Sequence, residues 1–345
     1  MKFNAISGKC SRPISVSQVG FGGAGLGNLF REVTEADAQA TLQAAYDNGV
    51  RHFDTAPQYG LGTSERRTGE AIRRLGRDNV TISTKAGRLL EDCAPEEMDD
   101  LPFVNIPQKK IVYDYSYDGI LRSHEASLKR LGVESVDILL AHDVGDMFTF
   151  GDRAQADATI RELFDKGGFK ALQELKDTKQ IGAIGAGVNE WQVCETLLAE
   201  GDFDCFLLAG RYTLLEQEPL NSFFPLCDKR DVGIILGGAF NSGILATGPI
   251  EGALFQYAAA SEDILDRTRK IQAVCEAHNT PLPKAALQFT LLHPVVKVLI
   301  PGAMAPHEVE MNMGHFDDEV PQGLWRDLKR EGLIREDAPT EVIAR

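Results

Sequence analysis

Long apolar runs are missing from the 345-residue sequence. No segment approaches the roughly 18 consecutive apolar residues that a membrane span needs. The opening stretch, MKFNAISGKCSRPISVSQVG, also lacks the apolar centre of a secretory signal, and a cytoplasmic location is expected. Cysteines are few, six in all. Cys10, Cys93, Cys194, Cys205, Cys227 and Cys275 stand far apart, with no C-x-x-C pair. Neither a clustered zinc site nor a disulfide framework is built that way, so free thiols and no metal are expected. Positive charge is short as well: 36 basic against 51 acidic residues leave a net charge of −15. Such a field repels phosphate backbones and anionic lipid, which sets nucleic-acid and membrane-surface roles aside.

Apolar content, by contrast, is ordinary at 43%, enough to bury a sizeable core. Apolar or β-branched runs recur at Val19–Gly22, Arg51–Asp54, Val80–Lys85, Val136–His142, Ala183–Val188, Cys205–Ala209, Val232–Leu236 and Val295–Ile300. Amphipathic stretches separate them, one opened by Thr34 and Asp37 as a capping box and one stopped by Gly132. Runs such as VDILLAH and VGIILGG are apolar throughout rather than alternating, as in parallel strands buried on both faces. Eight such strands alternating with helices predict an α/β fold, a (β/α)₈ TIM barrel spanning residues 1–345 as a single domain. A doubly wound open sheet is the competing arrangement, since strand count alone does not distinguish the two. Six acids in ten residues mark 91–100 as an exposed loop, and 147–166 reads as loop with some helix.

Gly20-Phe-Gly22-Gly-Ala-Gly25 fits the G-x-G-x-x-G dinucleotide fingerprint. That fingerprint works only when a helix starts at once, so that its N-terminus meets the pyrophosphate. Here the next helix signal is Thr34, nine residues beyond Gly25, and no acid stands in the expected place. A glycine-rich loop that lets a ligand approach the backbone closely fits better.

Three predicted strands end on polar groups: HFDTAPQYG supplies Asp54 and Tyr59, TISTKAG supplies Lys85 and ILLAHD supplies His142. Each alone has a bland reading, as a surface acid, a packing tyrosine, a solvated lysine or a hydrogen-bonded core histidine. Together on the C-terminal rim of a barrel, where catalytic residues from different strands converge, they form a proton-transfer set. A phenol of pKa about 10 is a poor acid or base near neutrality. A nearby ammonium stabilises its phenolate, an aspartate keeps that ammonium charged and oriented, and a histidine can donate to a substrate oxygen.

With these residues the chain resembles the aldo-keto reductases. Shared elements run in order: FDTAxxYG, STK, SLxRLGxxxxDxxxxH, GAGVNEW and IPG…N. The resemblance implies a barrel with a short N-terminal hairpin, over residues 3–17, closing the bottom. It implies a catalytic tetrad of Tyr59, Asp54, Lys85 and His142, with Lys85 and Asp54 lowering the pKa of Tyr59. A nicotinamide dinucleotide would lie over the barrel mouth near Gly23. Asn189 would meet its carboxamide, Asn241, Ser242, Gly243 and Leu245 its pyrophosphate, and Gly302, Met304, Glu308 and Asn312 its adenosine. Because no Lys or Arg stands from Pro301 to Asn312, NAD is expected rather than NADP. Two departures are visible: Ala209 replaces a common Gln, and Gly237 replaces the Tyr that stacks on nicotinamide. Tyr212 or Phe240 would take that stacking role.

Within the family, YDYSYDGILRSHEASLKRLGVESVDILLAHD and GGAFNSGILATGP are similar to the D-threo-aldose (L-fucose) 1-dehydrogenase and pyridoxal 4-dehydrogenase types. The implied activity is oxidation of an aldose hemiacetal at C1 to a lactone. Oxidation of an aromatic alcohol or aldehyde such as pyridoxal is the alternative, and the partner is a small sugar or aldehyde either way. Rim loops over 26–31, 89–110 and 143–152 would select it. A nicotinamide-sensing regulatory subunit is a third reading, disfavoured by the intact tetrad.

Overall fold

Eight parallel strands form the central sheet of the computed structural model, which describes residues 1–341. An N-terminal hairpin, β1 (Phe3–Ala5) and β2 (Ser15–Ser17), precedes them. The sheet strands are β3 (Phe21–Gly22), β4 (His52–Asp54), β5 (Thr81–Ala86), β8 (Ile138–His142), β9 (Ala183–Val188), β10 (Cys205–Ala209), β11 (Gly233–Gly237) and β14 (Val296–Leu299). Each pairs in parallel with its neighbours in that order. The ends meet: Gly20 N–H donates to Leu299 O at 2.7 Å and Leu299 N–H to Gln18 O at 2.9 Å. Further bridges pair Val19 with Leu299 and Gly22 with Gly302. The sheet therefore closes on itself, and the open-sheet alternative falls away.

Helices α1 (Glu35–Asp47), α2 (Thr63–Leu75) and α3 (Tyr117–Leu131) follow the first strands. After β8 come α4 (Met147–Phe150), α5 (Arg153–Asp165) and α6 (Gly168–Asp177). Later crossovers use α7 (Trp191–Glu200), α8 (Phe223–Arg230), α9 (Ile244–Thr247), α10 (Glu262–Ala277) and α11 (Leu282–Thr290). Finally α12 (Pro306–Gly314) and α13 (Gln322–Arg330) close the ring. Thr34 caps α1 by accepting the Asp37 N–H, and Gly132 ends α3 in the left-handed conformation. One large core lies between strands and helices. A second fills the barrel interior, where Ile6, Ile14 and Val16 of the hairpin meet Ile138, Leu207 and Val298. The hairpin thus plugs the lower end with apolar side chains, as the resemblance implies.

Two rim segments differ from expectation. The acidic run from 91 is not simply a loop, because β6 (Arg88–Asp92) pairs with β7 (Lys109–Tyr113) in an antiparallel arm. Glu91 stands opposite Lys110 and Asp92 opposite Lys109, whose Nζ lies 2.5 Å from the carboxylate. Cross-strand charge pairing absorbs acids that looked like a solvated loop. Segment 147–166 is mostly helical, because Asp146 and Asp152 accept the first free amides of α4 and α5. A small two-stranded turn, β12 (Leu254–Phe255) with β13 (Ala258–Ala259), follows α9.

The glycine-rich segment forms a 3₁₀ turn, Gly23–Gly27, rather than a dinucleotide-binding helix start. Gly22, Gly23 and Gly27 admit protein backbone and Gly25 admits the Met304 side chain, rather than opening a path for a ligand. A Cβ on Gly27 would lie 2.5 Å from the Gly60 N, and one on Gly60 2.3 Å from the Gly27 O. Buried Arg67 of α2 holds the segment by donating to Leu26 O (2.6 Å), Asn28 Oδ1 (2.9 Å) and Val33 O (2.7 Å). The turn therefore braces the loop bearing Tyr59. Gly27→Ala is expected to cost about 1–3 kcal/mol by overpacking and to lower turnover as well. Urea denaturation with activity measured on the folded fraction checks both; wild-type values for each would contradict the bracing.

Candidate active site

Parallel pairing of β4 with β5 sets Asp54 beside Ser83, and alternation then brings Lys85 to the same interior face. Lys85 Nζ donates to Asp54 Oδ2 at 2.8 Å and to Thr55 O at 2.9 Å, while Ser83 Oγ donates to Asp54 Oδ1 at 2.6 Å. Lys85 is 1% exposed and Asp54 2%. Below them His52 lies 3.3 Å from Ser83 Oγ and 3.0 Å from Thr81 Oγ1. A polar ladder therefore climbs the inside of β4 and β5 and ends on Lys85.

Tyr59 sits above that end, its ring centroid 4.7 Å from Lys85 Nζ. His142, last residue of β8, meets it edge-on with ring centroids 6.1 Å apart. The structure thus brings together all four residues singled out from the sequence. Their electrostatics differ from expectation at Tyr59. Its phenol is pushed up to about 12 in all: burial raises it most, Lys85 pulls it back and Asp54 raises it again. The expected lowering by Lys85 and Asp54 together is corrected: Lys85 only limits a rise set by desolvation. For Lys85, burial opposes the charge, but Asp54 and Tyr59 outweigh it and the ammonium is held above its ordinary value. Burial, then Arg88, then Lys85 drive His142 well below the usual imidazole range. The set is a neutral phenol and a neutral imidazole beside a buried cation, suited to passing one proton to or from an oxygen.

The residues expected around a nicotinamide dinucleotide are dispersed along the same rim. Gly23 packs on β4, where a Cβ would lie 2.6 Å from Asp54 O. Asn189 donates its amide N–H and its Nδ2 (3.2 Å) to Asp146 Oδ2. Glu308 Oε2 accepts the Met304 N–H at 2.6 Å, and Asn312 Nδ2 lies 3.4 Å from Gly302 O.

Three expectations change. Tyr212 is fully buried, stacked 5.2 Å from Phe289 and packed on Phe224, so it presents no face at the mouth. Phe240 is partly buried against the core and remains beside the rim. The amides of Asn241, Gly243 and Leu245 already donate to Gly238 O or Phe240 O, which corrects the pyrophosphate reading of that loop. Ser242 Oγ accepts the Tyr257 N–H. Nor is the adenosine segment without a cation: Arg31, from the first rim loop, reaches Glu308 at 2.8 Å. No spacing in the sequence signals that pairing across 277 positions.

The rim nevertheless keeps open space and a free acceptor for a bound group. A Cβ on Gly243 would meet nothing within 4 Å, and one on Gly302 only Gly22 O at 3.6 Å. Nearby, Asn241 Oδ1 is buried without a partner. No cluster of His, Cys, Asp or Glu among the described residues is placed to hold a metal, and none of their helices is long and apolar enough to cross a membrane.

Sequence reasoning missed Ser83, Gln58, Arg88 and Asp143. Ser83 was legible, because the S-x-K spacing puts it on the face of Lys85. Arg88 was not, since its partner Asp143 is 55 positions away.

Comparison with known proteins agrees with this geometry. The chain is 39% identical over 330 residues to pyridoxal 4-dehydrogenase of Microbacterium luteolum, covering 93% of this chain and 95% of that one. It is 34% identical over 326 residues to D-threo-aldose 1-dehydrogenase of a Pseudomonas species, with the same coverages. Among solved structures, an aldo-keto reductase from Bacillus halodurans in its holo form superposes with a TM-score of 0.76 at 20% identity, over 99% of both chains. The aldo/keto reductase family pattern spans residues 18–330, and with a barrel that carries four rim residues in one proton-handling cluster, the chain belongs to the aldo/keto reductase family.

Proposed function

We propose that this oxidoreductase converts a cyclic hemiacetal to a lactone with NAD⁺. The observation that carries the reading is Tyr59 standing over the buried Lys85–Asp54 pair with His142 edge-on. The imidazole of His142, kept neutral, donates to the reacting oxygen and orients it. Tyr59 takes the hydroxyl proton, and Lys85 stabilises the phenolate needed for that. When bound, NAD⁺ supplies the hydride acceptor and a cationic ring. Asn189 would hold its carboxamide, and Gly302, Met304, Glu308 and Asn312 its adenosine. Because the phenol is pushed up to about 12, the phenolate fraction, and with it the oxidation rate, rises as pH is raised from neutral.

An aldose of the L-fucose or D-threo type is the first substrate class, its C1 carbinol being the oxidised group. Pyridoxal is the second, since its aldehyde and neighbouring hydroxymethyl close to a hemiacetal of the same kind. Aromatic groups at the rim favour it: Phe103 lies 6.5 Å from Tyr59, and Phe148 meets Tyr257 in a tilted pair at 5.0 Å although both are more than half exposed. Flat faces of this kind suit a heteroaromatic ring. The 39% identity to a pyridoxal 4-dehydrogenase weighs the same way. Localisation in the cytoplasm accords with this chemistry.

Glu308 supports NAD over NADP, because a carboxylate near a 2′-phosphate is repulsive and Arg31 is already paired to it. A screen of L-fucose, D-arabinose, L-galactose and pyridoxal with each cofactor tests the reading. Lactone formation with higher kcat/KM for NAD⁺ is expected; no turnover of any hemiacetal, or a clear NADP⁺ preference, would overturn the corresponding part. Tyr59→Phe should lower kcat by roughly 10² to 10⁴ with NAD⁺ affinity, measured by fluorescence quenching, little changed. Near wild-type turnover in that variant would remove Tyr59 from its role.

A further inference from the structure

We propose that Arg88 is a positioning residue of this site, clamping the chain neighbours of Tyr59 and His142 and keeping His142 neutral. The inference rests on the proposed role of His142 as the neutral donor.

Arg88 opens β6 and is 1% exposed. Its Nη1 donates to Oε1 of Gln58, the residue before Tyr59, and its Nη2 to Oδ2 of Asp143, the residue after His142. Thr149 Oγ1 lies 3.4 Å from the same Nη2 and donates to Asp143 Oδ2 at 3.0 Å. The guanidinium carbon stands 5.3 Å from the Tyr113 ring centroid. One planar fork thus fixes both flanks of the reacting pair, a task suited to arginine rather than lysine.

Asp143 makes this clamp necessary. Its Oδ2 is 3.8 Å from His142 Nε2, where an uncompensated carboxylate would favour the imidazolium. Its backbone is left-handed, with φ at 50°, and its N–H donates to Gly187 O at 2.8 Å. A left-handed backbone at a non-glycine residue persists where the surroundings over-determine the position. The groups around His142 are Lys85 of β5, Arg88 of β6, Asp143, the Tyr59 ring and Tyr115, whose O–H donates to the His142 carbonyl. Lys85 is committed to Asp54, so Arg88 is the cation that offsets Asp143. An imidazolium there would add a third positive charge beside the cationic cofactor ring and hold the substrate oxygen too tightly for hydride loss.

Arg88→Met leaves Asp143 uncompensated, while Arg88→Met/Asp143→Asn removes both charges and guards against loss of folding in the single variant. Histidine proton resonances, with His142→Asn for assignment, report His142 without requiring turnover. In Arg88→Met the His142 midpoint should rise by about one pH unit or more, and kcat/KM relative to wild type should fall about tenfold per unit of that rise as pH is lowered through the raised midpoint. The double variant should return the midpoint to the wild-type side and abolish the pH dependence of that ratio. An unchanged midpoint in Arg88→Met, or a double variant matching the single one, would overturn the proposal. A raised midpoint with a flat activity ratio would uphold the clamp and instead remove His142 from its donor role.

Discussion

The ion pair between Lys85 and Asp54 is the constraint on which the rest of this site depends. Two charges at 2.8 Å, almost without solvent, are costly to bury, and removing either partner strands the other at about 3–5 kcal/mol. The fold must therefore satisfy both completely. Ser83 and Thr55 do so, one donating to the carboxylate and one accepting from the ammonium. Register between β4 and β5 is fixed as a consequence, because a one-residue slip would turn Lys85 to the outer face. Tyr59 then meets a cation that has nowhere else to go.

Around this pair the loops act as braces. Gly27 and Gly60 let two backbone segments touch, and Arg67 anchors the first of them. On the opposite flank Arg88 ties the β6–β7 arm to the end of β8. The same first rim loop that braces Tyr59 also sends Arg31 to Glu308. The side of the mouth expected to hold the cofactor and the side that handles protons are thereby joined through one segment. A change in loop packing at either place would be felt at both.

Much of this was legible in the sequence because strands and tetrad leave short-range marks. Continuous apolar runs ending in Asp54, Lys85 and His142 located the sheet to within a residue or two and put three polar groups on one rim. What escaped notice was long-range pairing. Arg31 with Glu308 and Arg88 with Asp143 join residues hundreds or tens of positions apart, and nothing in local composition marks them. The acids near position 91 misled for a related reason, since their lysine partners lie on the returning strand. Tyr212 looked like a stacking residue by its place in the chain, yet the aromatic cluster with Phe224 and Phe289 draws it into the core. The direction of the Tyr59 shift also needed three dimensions, because burial, which outweighs the lysine, has no sequence signature.

The central claim is that the charge of Lys85 makes the Tyr59 phenol usable. Its most direct test is the pH dependence of single-turnover oxidation in Lys85→Met/Asp54→Asn, which removes both buried charges and so preserves the balance of the interior. The account predicts that the rise in rate with pH moves to higher pH, with a rate at pH 8 at least about tenfold below wild type. A rate–pH curve coincident with that of the wild-type protein would contradict it.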